Sequence, residues 1–151
     1  MRLKIAGVVA GLGLLLAAVP VVAHHSFAAE FDGSKGIKLT GTVTKIEWMN
    51  PHTYFYIDVK EMCEGAANAA QTNSWKCAPA APSKVDNWGL EMGSPNGLMR
   101  QGWTRNSMKI GDVVTVEGSR AKDGTLIGNA RSVMLDGGKR LFAGSSQTTT
   151  P

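Results

Sequence analysis

Histidine is the residue type with the clearest potential chemistry in this chain, because it occurs only three times and two of the three are adjacent. His24 and His25 follow an apolar N-terminal stretch, and His52 ends the segment Trp48-Met49-Asn50-Pro51-His52. If processing makes His24 the first residue, its α-amine and imidazole can chelate one metal ion together, and a further imidazole completes a site of three nitrogens. Cu(II) stands at the top of the divalent affinity series and suits such a site best. The sequence therefore predicts a copper site at His24, His25 and His52.

This arrangement resembles the histidine brace of lytic polysaccharide monooxygenases and of certain periplasmic copper carriers. The resemblance concerns the chain terminus and one distant histidine, so it implies copper binding and not their folds. In the alternative interpretation, His52 is a hydrogen-bonding residue of a strand-entry turn and the histidine pair is solvated. A further alternative, an oxidative copper enzyme, requires an open coordination position beside a substrate surface.

Aromatic side chains suggest a second kind of site. Tyr54, Tyr56 and Trp88 lie on predicted strands, and together they could form a ligand face that binds an envelope protein or a saccharide. The competing interpretation is that large aromatic residues in so small a domain pack in the core. This face makes a metal-free interaction module the alternative to copper binding.

Signs of an enzyme are few. The chain has no GxSxG, no HExxH and no glycine-rich phosphate-binding loop. Glu47, Asp58 and Glu91 are carboxylates on predicted strands, and we expect all three on solvated faces. The sequence thus favours a binding protein over a catalyst.

The N-terminal region has the three parts of a secretory signal peptide. Met1-Arg2-Leu3-Lys4 is positively charged, an apolar stretch runs to residue 22, and small residues precede Ala23. We expect cleavage after Ala23, whereas cleavage after Ala28 would remove both histidines and an uncleaved stretch would be a membrane anchor. Cleavage predicts an exported protein, periplasmic or secreted, with no stable membrane insertion.

Length, charge and cysteine content narrow the possibilities further. Removal of residues 1–23 leaves 128 residues, enough for one domain, and lowers the basic residues from 16 to 14 against 12 acidic ones, a net charge of +2. Without a basic block, nucleic acid is not an expected partner. In an oxidising compartment Cys63 and Cys77 should form a disulfide, which closes a loop worth roughly 3 kcal/mol in the chain-entropy model.

Alternation of apolar residues predicts the elements that position these groups. Five strands are expected, over residues 39–48, 53–60, 88–92, 113–118 and 126–135. Thr44-Lys45 should carry a bulge, and Ser94-Pro95 should begin a short helix between the third and fourth strands. This order predicts an all-β fold, a small OB-like five-stranded barrel, with a small open β-sandwich as the alternative.

The expected organisation follows from these elements. It comprises a signal peptide over 1–23, an N-terminal arm over 24–36 that ends in a turn at Asp32-Gly33-Ser34-Lys35-Gly36, the barrel domain over 37–143, and a disordered tail over 144–151. The disulfide-closed segment 63–77 lacks strand alternation and is interpreted as an insertion.

Several motifs together resemble a family of small secreted bacterial proteins that is classed as a domain of unknown function. They are His24-His25-Ser26-Phe27, Gly41-Thr42-Val43-Thr44, Glu47-Trp48, Asn50-Pro51-His52, Gly102-Trp103-Thr104-Arg105, Gly111-Asp112, Ala121-Lys122-Asp123-Gly124 and Leu141-Phe142-Ala143-Gly144-Ser145-Ser146. The resemblance implies a bacterial periplasmic protein and brings no catalytic residues with it. The segment 63–77 departs from the family pattern, which implies that the disulfide is a local feature.

Overall fold

The computed structural model describes residues 27–66, 69–81 and 84–144 of the 151-residue chain. The predicted signal peptide, His24 and His25 lie outside the described residues, as does the predicted tail from residue 145 onward. Among the described residues, no helix is both long enough and apolar enough to span a membrane.

Most of the described chain is β-structure, arranged as one sheet of seven strands. The strands are β1 (Phe31–Glu47), β2 (Tyr54–Ala66), β3 (Lys76–Pro79), β4 (Asn87–Glu91), β5 (Val113–Ala121), β6 (Ile127–Met134) and β7 (Arg140–Phe142). The helices are α1 (Phe27–Glu30), α2 (Ala69–Thr72) and α3 (Pro95–Arg100), and a 3-10 turn covers Asp136–Gly138. The prediction of an all-β protein is confirmed, but the expected number of strands was too low because β3 and β7 were not anticipated.

The strand pairing follows the order β1-β5-β6-β4-β2, and β2 also pairs with β1. Of these pairs only β4 with β6 is parallel. β3 pairs with the end of β2, and β7 pairs with β6. Five strands therefore form a closed circuit of hydrogen-bonded neighbours, and they are the five that alternation predicted.

The interior is formed by the apolar phase of each strand. Phe55, Ile57 and Val59 on β2 are at most 5% exposed, whereas Tyr54 and Tyr56, which alternate with them, are partly exposed. This period of two is the pattern expected of a strand with one buried face. Other fully buried side chains are Leu39, Val43, Trp88, Leu90, Leu98, Val114, Val116 and Val133.

β1 begins earlier than expected. Its pairing with β5 already includes Phe31 and Asp32, so the segment predicted as a free arm belongs to the sheet from Phe31 onward. The predicted turn is present as an irregularity inside the strand, because the register shifts between Asp32 and Gly36 and the backbone N–H of Ser34 donates to the Asp32 carboxylate at 3.0 Å. The predicted bulge is confirmed by a second shift between Val43 and Lys45.

α3 begins where the sequence predicted it. The Ser94 hydroxyl accepts a hydrogen bond from the N–H of Gly97 at 3.3 Å, and Pro95 occupies the first turn. Gly102 follows with φ of +91°, a left-handed conformation that favours glycine. The helix lies between β4 and β5, and its Leu98 is fully buried in the core.

The segment around the disulfide contains strand pairing that the sequence did not predict. Cys63 on β2 lies directly opposite Cys77 on β3, and the two form the predicted disulfide. β2 continues to Ala66 because its outer residues find partners on β3 and on the early part of β1. The absence of alternation in the segment hid this pairing, since all four residues of β3 are exposed.

Candidate functional site

His52 lies in the connection between β1 and β2, after a cis peptide bond between Asn50 and Pro51. Its Nδ1 lies 3.2 Å from the carbonyl oxygen of Met92 and 3.6 Å from Oε1 of Glu91. A carbonyl oxygen only accepts hydrogen bonds, so the first contact assigns the proton of the neutral ring to Nδ1. Nε2 then carries the lone pair, and it has no hydrogen-bond partner in the described part of the chain. The imidazole is 28% exposed and therefore accessible to a ligand.

The pairing of β2 with β4 places Tyr54 directly opposite Glu91. The Tyr54 hydroxyl donates a hydrogen bond to Oε2 of Glu91, and Glu91 is only 8% exposed. Burial raises the pKa of the Tyr54 phenol well above its usual value, and the hydrogen bond to Glu91 and the charges of Glu91 and Glu30 raise it further. The phenol is therefore a neutral donor that satisfies a buried carboxylate, while the other oxygen of that carboxylate faces His52.

A more exposed pair lies on the same face. The Tyr56 hydroxyl donates to Oε2 of Glu47 at 2.9 Å, and the Lys45 ammonium lies 2.6 Å from Oε1 of the same carboxylate. The ammonium also lies 5.0 Å from the centre of the Tyr56 ring. Burial, followed by the bond to Glu47, raises the pKa of Tyr56, whereas Lys45 and then Tyr56 lower the pKa of Glu47.

These groups line one cavity of about 390 Å³, which we call the His52 cavity. Its walls are Glu30, Glu47, Met49, Asn50, Pro51, His52, Tyr54, Tyr56 and Glu91. Three carboxylates, of which Glu47 is paired with Lys45, give the cavity an acidic lining. Such a lining favours a cation over an anion.

The N-terminal helix is held beside this cavity. The carbonyl oxygen of Glu30 accepts from the N–H of Lys122 at 2.8 Å, and the Lys122 ammonium donates to the carbonyl oxygen of Ala28 at 2.5 Å. The rings of Phe27 and Phe31 stack at 5.7 Å, and Phe31 is buried. α1 is thereby fixed to the β5–β6 turn, with Glu30 at the cavity wall.

The structure brings together some of the predicted site residues and separates others. His52, Tyr54 and Tyr56 line the same cavity, while His24 and His25 lie outside the described residues. Trp88 does not share the tyrosine face. It lies opposite Ile57 on the neighbouring strand, 2% exposed and packed in the hydrophobic core.

Glu91 is the residue that sequence reasoning misplaced. It was expected on a solvated face, yet Tyr54 and the neighbouring strands bury it. Its position directly before Met92, at the end of an apolar strand, was the available signal. The cysteines offer no metal site: Glu61, Cys63 and Cys77 are the one cluster of three candidate ligands in the described residues, and the disulfide consumes both thiols.

Comparison with known proteins gives one result. Residues 13–84 and 71–130 match the model of a family described as a family of unknown function, DUF6152. The chain matches no curated protein and no solved structure. The matched stretches span well over half of the 151 residues and include His52, Tyr54, Tyr56 and Glu91, so the chain belongs to the DUF6152 family.

Proposed function

We propose that this protein is an exported bacterial copper-binding protein whose metal site joins the N-terminal histidine pair to His52. In this proposal a signal peptide is removed after Ala23, the mature protein is periplasmic or secreted, and the ligands are His24, His25 and His52. The scaffold is an OB-like five-stranded barrel. The closed pairing circuit β1-β5-β6-β4-β2 supports this scaffold, as does α3, which lies between the third and fourth of those five strands.

The observation that carries the proposal is the hydrogen bond between Nδ1 of His52 and the carbonyl oxygen of Met92. Metal-binding histidines commonly donate their second ring nitrogen to a carbonyl or carboxylate, which fixes both the tautomer and the ring orientation. Here the carbonyl of Met92 and the carboxylate of Glu91 both lie next to Nδ1. Nε2 is left as a basic nitrogen on a residue that lines an acidic cavity.

Chain length is compatible with convergence of the three histidines. α1 rises about 1.5 Å per residue, and an extended chain advances at most about 3.6 Å per residue. The Cα atoms of His25 and His24 are therefore tethered within about 12 Å and 15 Å of the Cα of Glu30. Because Glu30 and His52 line the same cavity, the histidine pair is attached close to its proposed partner.

The acidic lining adds a second argument. Glu30 and Glu91 give the site negative charge that attracts a divalent cation, while the charge of Glu47 is balanced by Lys45. A site with an N-terminal amine and imidazole nitrogens favours Cu(II) among the first-row divalent ions. Holding the metal requires no catalytic step, so we assign the protein to metal binding and not to an enzyme class.

The experiment is a Cu(II) titration of mature protein with a native N-terminus, verified by mass spectrometry and followed by calorimetry. His52→Ala, and separately acetylation of the α-amine of His24, should each weaken binding at least about tenfold, because each removes a nitrogen ligand. Met99→Ala is the matched control: it changes a methionine of similar exposure, 51%, on α3 outside the cavity lining, and should leave Cu(II) affinity unchanged. Wild-type binding no tighter than that of the two ligand variants would overturn the proposal.

A metal-free module that binds an envelope protein or a saccharide on the tyrosine face is the competing function. The partial exposure of Tyr54 and Tyr56 on one face favours it. Burial of Trp88 leaves that face with two aromatic rings instead of three. If the wild-type protein binds no Cu(II) in the titration, this function replaces the copper site.

A further inference from the structure

A second cavity differs from the His52 cavity in the sign of its charge. It has a volume of about 750 Å³ and forms where the early part of β1, the end of β2, the start of β3 and the β5–β6 turn meet. Its lining includes four basic side chains, Lys35, Lys76, Arg120 and Lys122, and a single acidic one, Glu64. We call it the cationic cavity.

Two of its four cations are held in place by other parts of the fold. The Arg120 guanidinium lies 3.5 Å from Glu64 and 5.5 Å from the centre of the Trp88 ring, and its side chain is 31% exposed. The Lys122 ammonium is bound to the carbonyl oxygen of Ala28. A cation that is already positioned loses less conformational entropy when it binds a ligand than a free surface lysine does.

The other two cations are more exposed. The Lys35 side chain is 72% exposed and lies 3.6 Å from Asp32, and Lys76 is exposed on β3. The four come from three parts of the fold: Lys35 from β1, Lys76 from β3, and Arg120 with Lys122 from the end of β5 and the turn after it. Their fields add inside the cavity.

We propose that the cationic cavity binds a small oxyanion carrying several negative charges, with phosphate or carboxylate groups. Its volume falls within the range of small-molecule sites. Arginine recognises such groups through a planar pair of N–H donors, and lysines add point charges. The concave shape, with cations contributed by three separate parts of the fold, favours a discrete ligand over a flat anionic surface. This site is independent of the proposed copper site.

The probe is inorganic tripolyphosphate, titrated calorimetrically into the full mature chain after metal has been removed with a chelator and the chelator has been dialysed away. Saturable binding is expected, tighter than that of inorganic phosphate and weakened by added sodium chloride, because exposed charges are screened by salt. Absence of saturable binding at low salt would overturn the proposal.

Three charge variants test the location. Lys76→Gln should weaken tripolyphosphate binding roughly threefold or more, because it removes one positive charge from the wall. Glu64→Gln should strengthen binding by a similar factor, since it removes the lone carboxylate of the lining, while the contact of Arg120 with the Trp88 ring remains. Lys60→Gln is the matched control, an exposed lysine on β2 outside the cavity lining, and should change nothing.

Effects of opposite sign from Lys76→Gln and Glu64→Gln would support the site, because a general loss of folding cannot strengthen binding. Equal weakening by Lys76→Gln and Lys60→Gln would overturn it in favour of non-specific attraction. Vesicles of phosphatidylglycerol and phosphatidylcholine provide the last arm. If the protein sediments with the anionic vesicles and tripolyphosphate does not release it, the cavity takes part in a membrane-surface interaction and the proposed small-ligand site is wrong.

Discussion

Replacing Tyr54 by phenylalanine removes one hydroxyl from the wall of the His52 cavity and leaves the ring in place. That hydroxyl donates to Glu91, which is 8% exposed. Removing the donor leaves a carboxylate oxygen with little access to water and no replacement donor from the ring. Tyr56→Phe is the matched substitution, since its hydroxyl also donates to a glutamate, Glu47, two residues away on the same face.

The expected costs differ because the two acceptors differ. Loss of a hydrogen bond to a buried charged group costs about 1.5–3 kcal/mol in the free energy of unfolding. Glu47 is 27% exposed at its side chain and retains the Lys45 ammonium at 2.6 Å, so the loss there should be about 0.5–1 kcal/mol. Tyr54→Phe should therefore destabilise the protein by about 1–2 kcal/mol more than Tyr56→Phe.

Urea unfolding at neutral pH, with the disulfide intact, measures the free energy of unfolding that each tyrosine variant loses relative to the wild type. A double-mutant cycle isolates the interaction: in a Glu91→Gln background, Tyr54→Phe should cost at least about 1 kcal/mol less than in the wild type. Unchanged slopes of unfolding free energy against urea would show that the denatured state is not the cause. Equal costs for the two tyrosines, or no coupling in the cycle, would refute the view that Glu91 depends on Tyr54.

Three further predictions concern the same fold. The chain has two tyrosines, so a spectrophotometric pH titration reports Tyr54 and Tyr56 alone, and both should ionise above the usual tyrosine pKa, Tyr54 last. Because the folded state holds these protons more tightly than the unfolded state, the free energy of unfolding should be level below about pH 10 and fall above it. Ionisation of both tyrosines near pH 10 in the folded protein would contradict their burial. Replacing Cys63 and Cys77 together by alanine should lower the free energy of unfolding in urea by about 3 kcal/mol because a 14-residue separation is no longer closed, and an unchanged midpoint would count against the disulfide. Gly118→Ala should lower the free energy of unfolding by about 2–3 kcal/mol or more, because the new Cβ would lie 1.8 Å from a backbone carbonyl oxygen of β6. A variant that melts at the wild-type temperature would show that the two strands do not approach so closely.

Local patterns were sufficient for much of the fold. Alternation at Phe55 and Ile57 predicted the buried face of β2, and Ser94-Pro95 predicted the start of α3. Both signals depend on residues within a few positions of each other, so they can be read without knowledge of the neighbouring strands. β3 was missed for the opposite reason: its residues are all exposed, and its pairing with β2 depends on the disulfide and the hairpin.

The candidate site was only partly predictable. The sequence drew attention to His52 and the two tyrosines because of their residue types and their shared strand phase. It did not predict that Glu91 is buried, since its partner Tyr54 is 37 residues away along the chain. Alternation assigns a residue to one face of its strand but not to a partner on the next strand, which depends on register.

The sequence by itself determined the all-β character, the disulfide and the phase of the buried residues, because these follow from side-chain type and short-range spacing. Only the tertiary structure decided which charges meet. The register of β2 against β4 places Glu91 opposite Tyr54 and beside His52, while Trp88 enters the core. The meeting of four distant segments concentrates positive charge in the cationic cavity, although the predicted mature chain has a net charge of only +2. The interaction between charges depends on their separation in space and not along the chain, and strand pairing determines that separation.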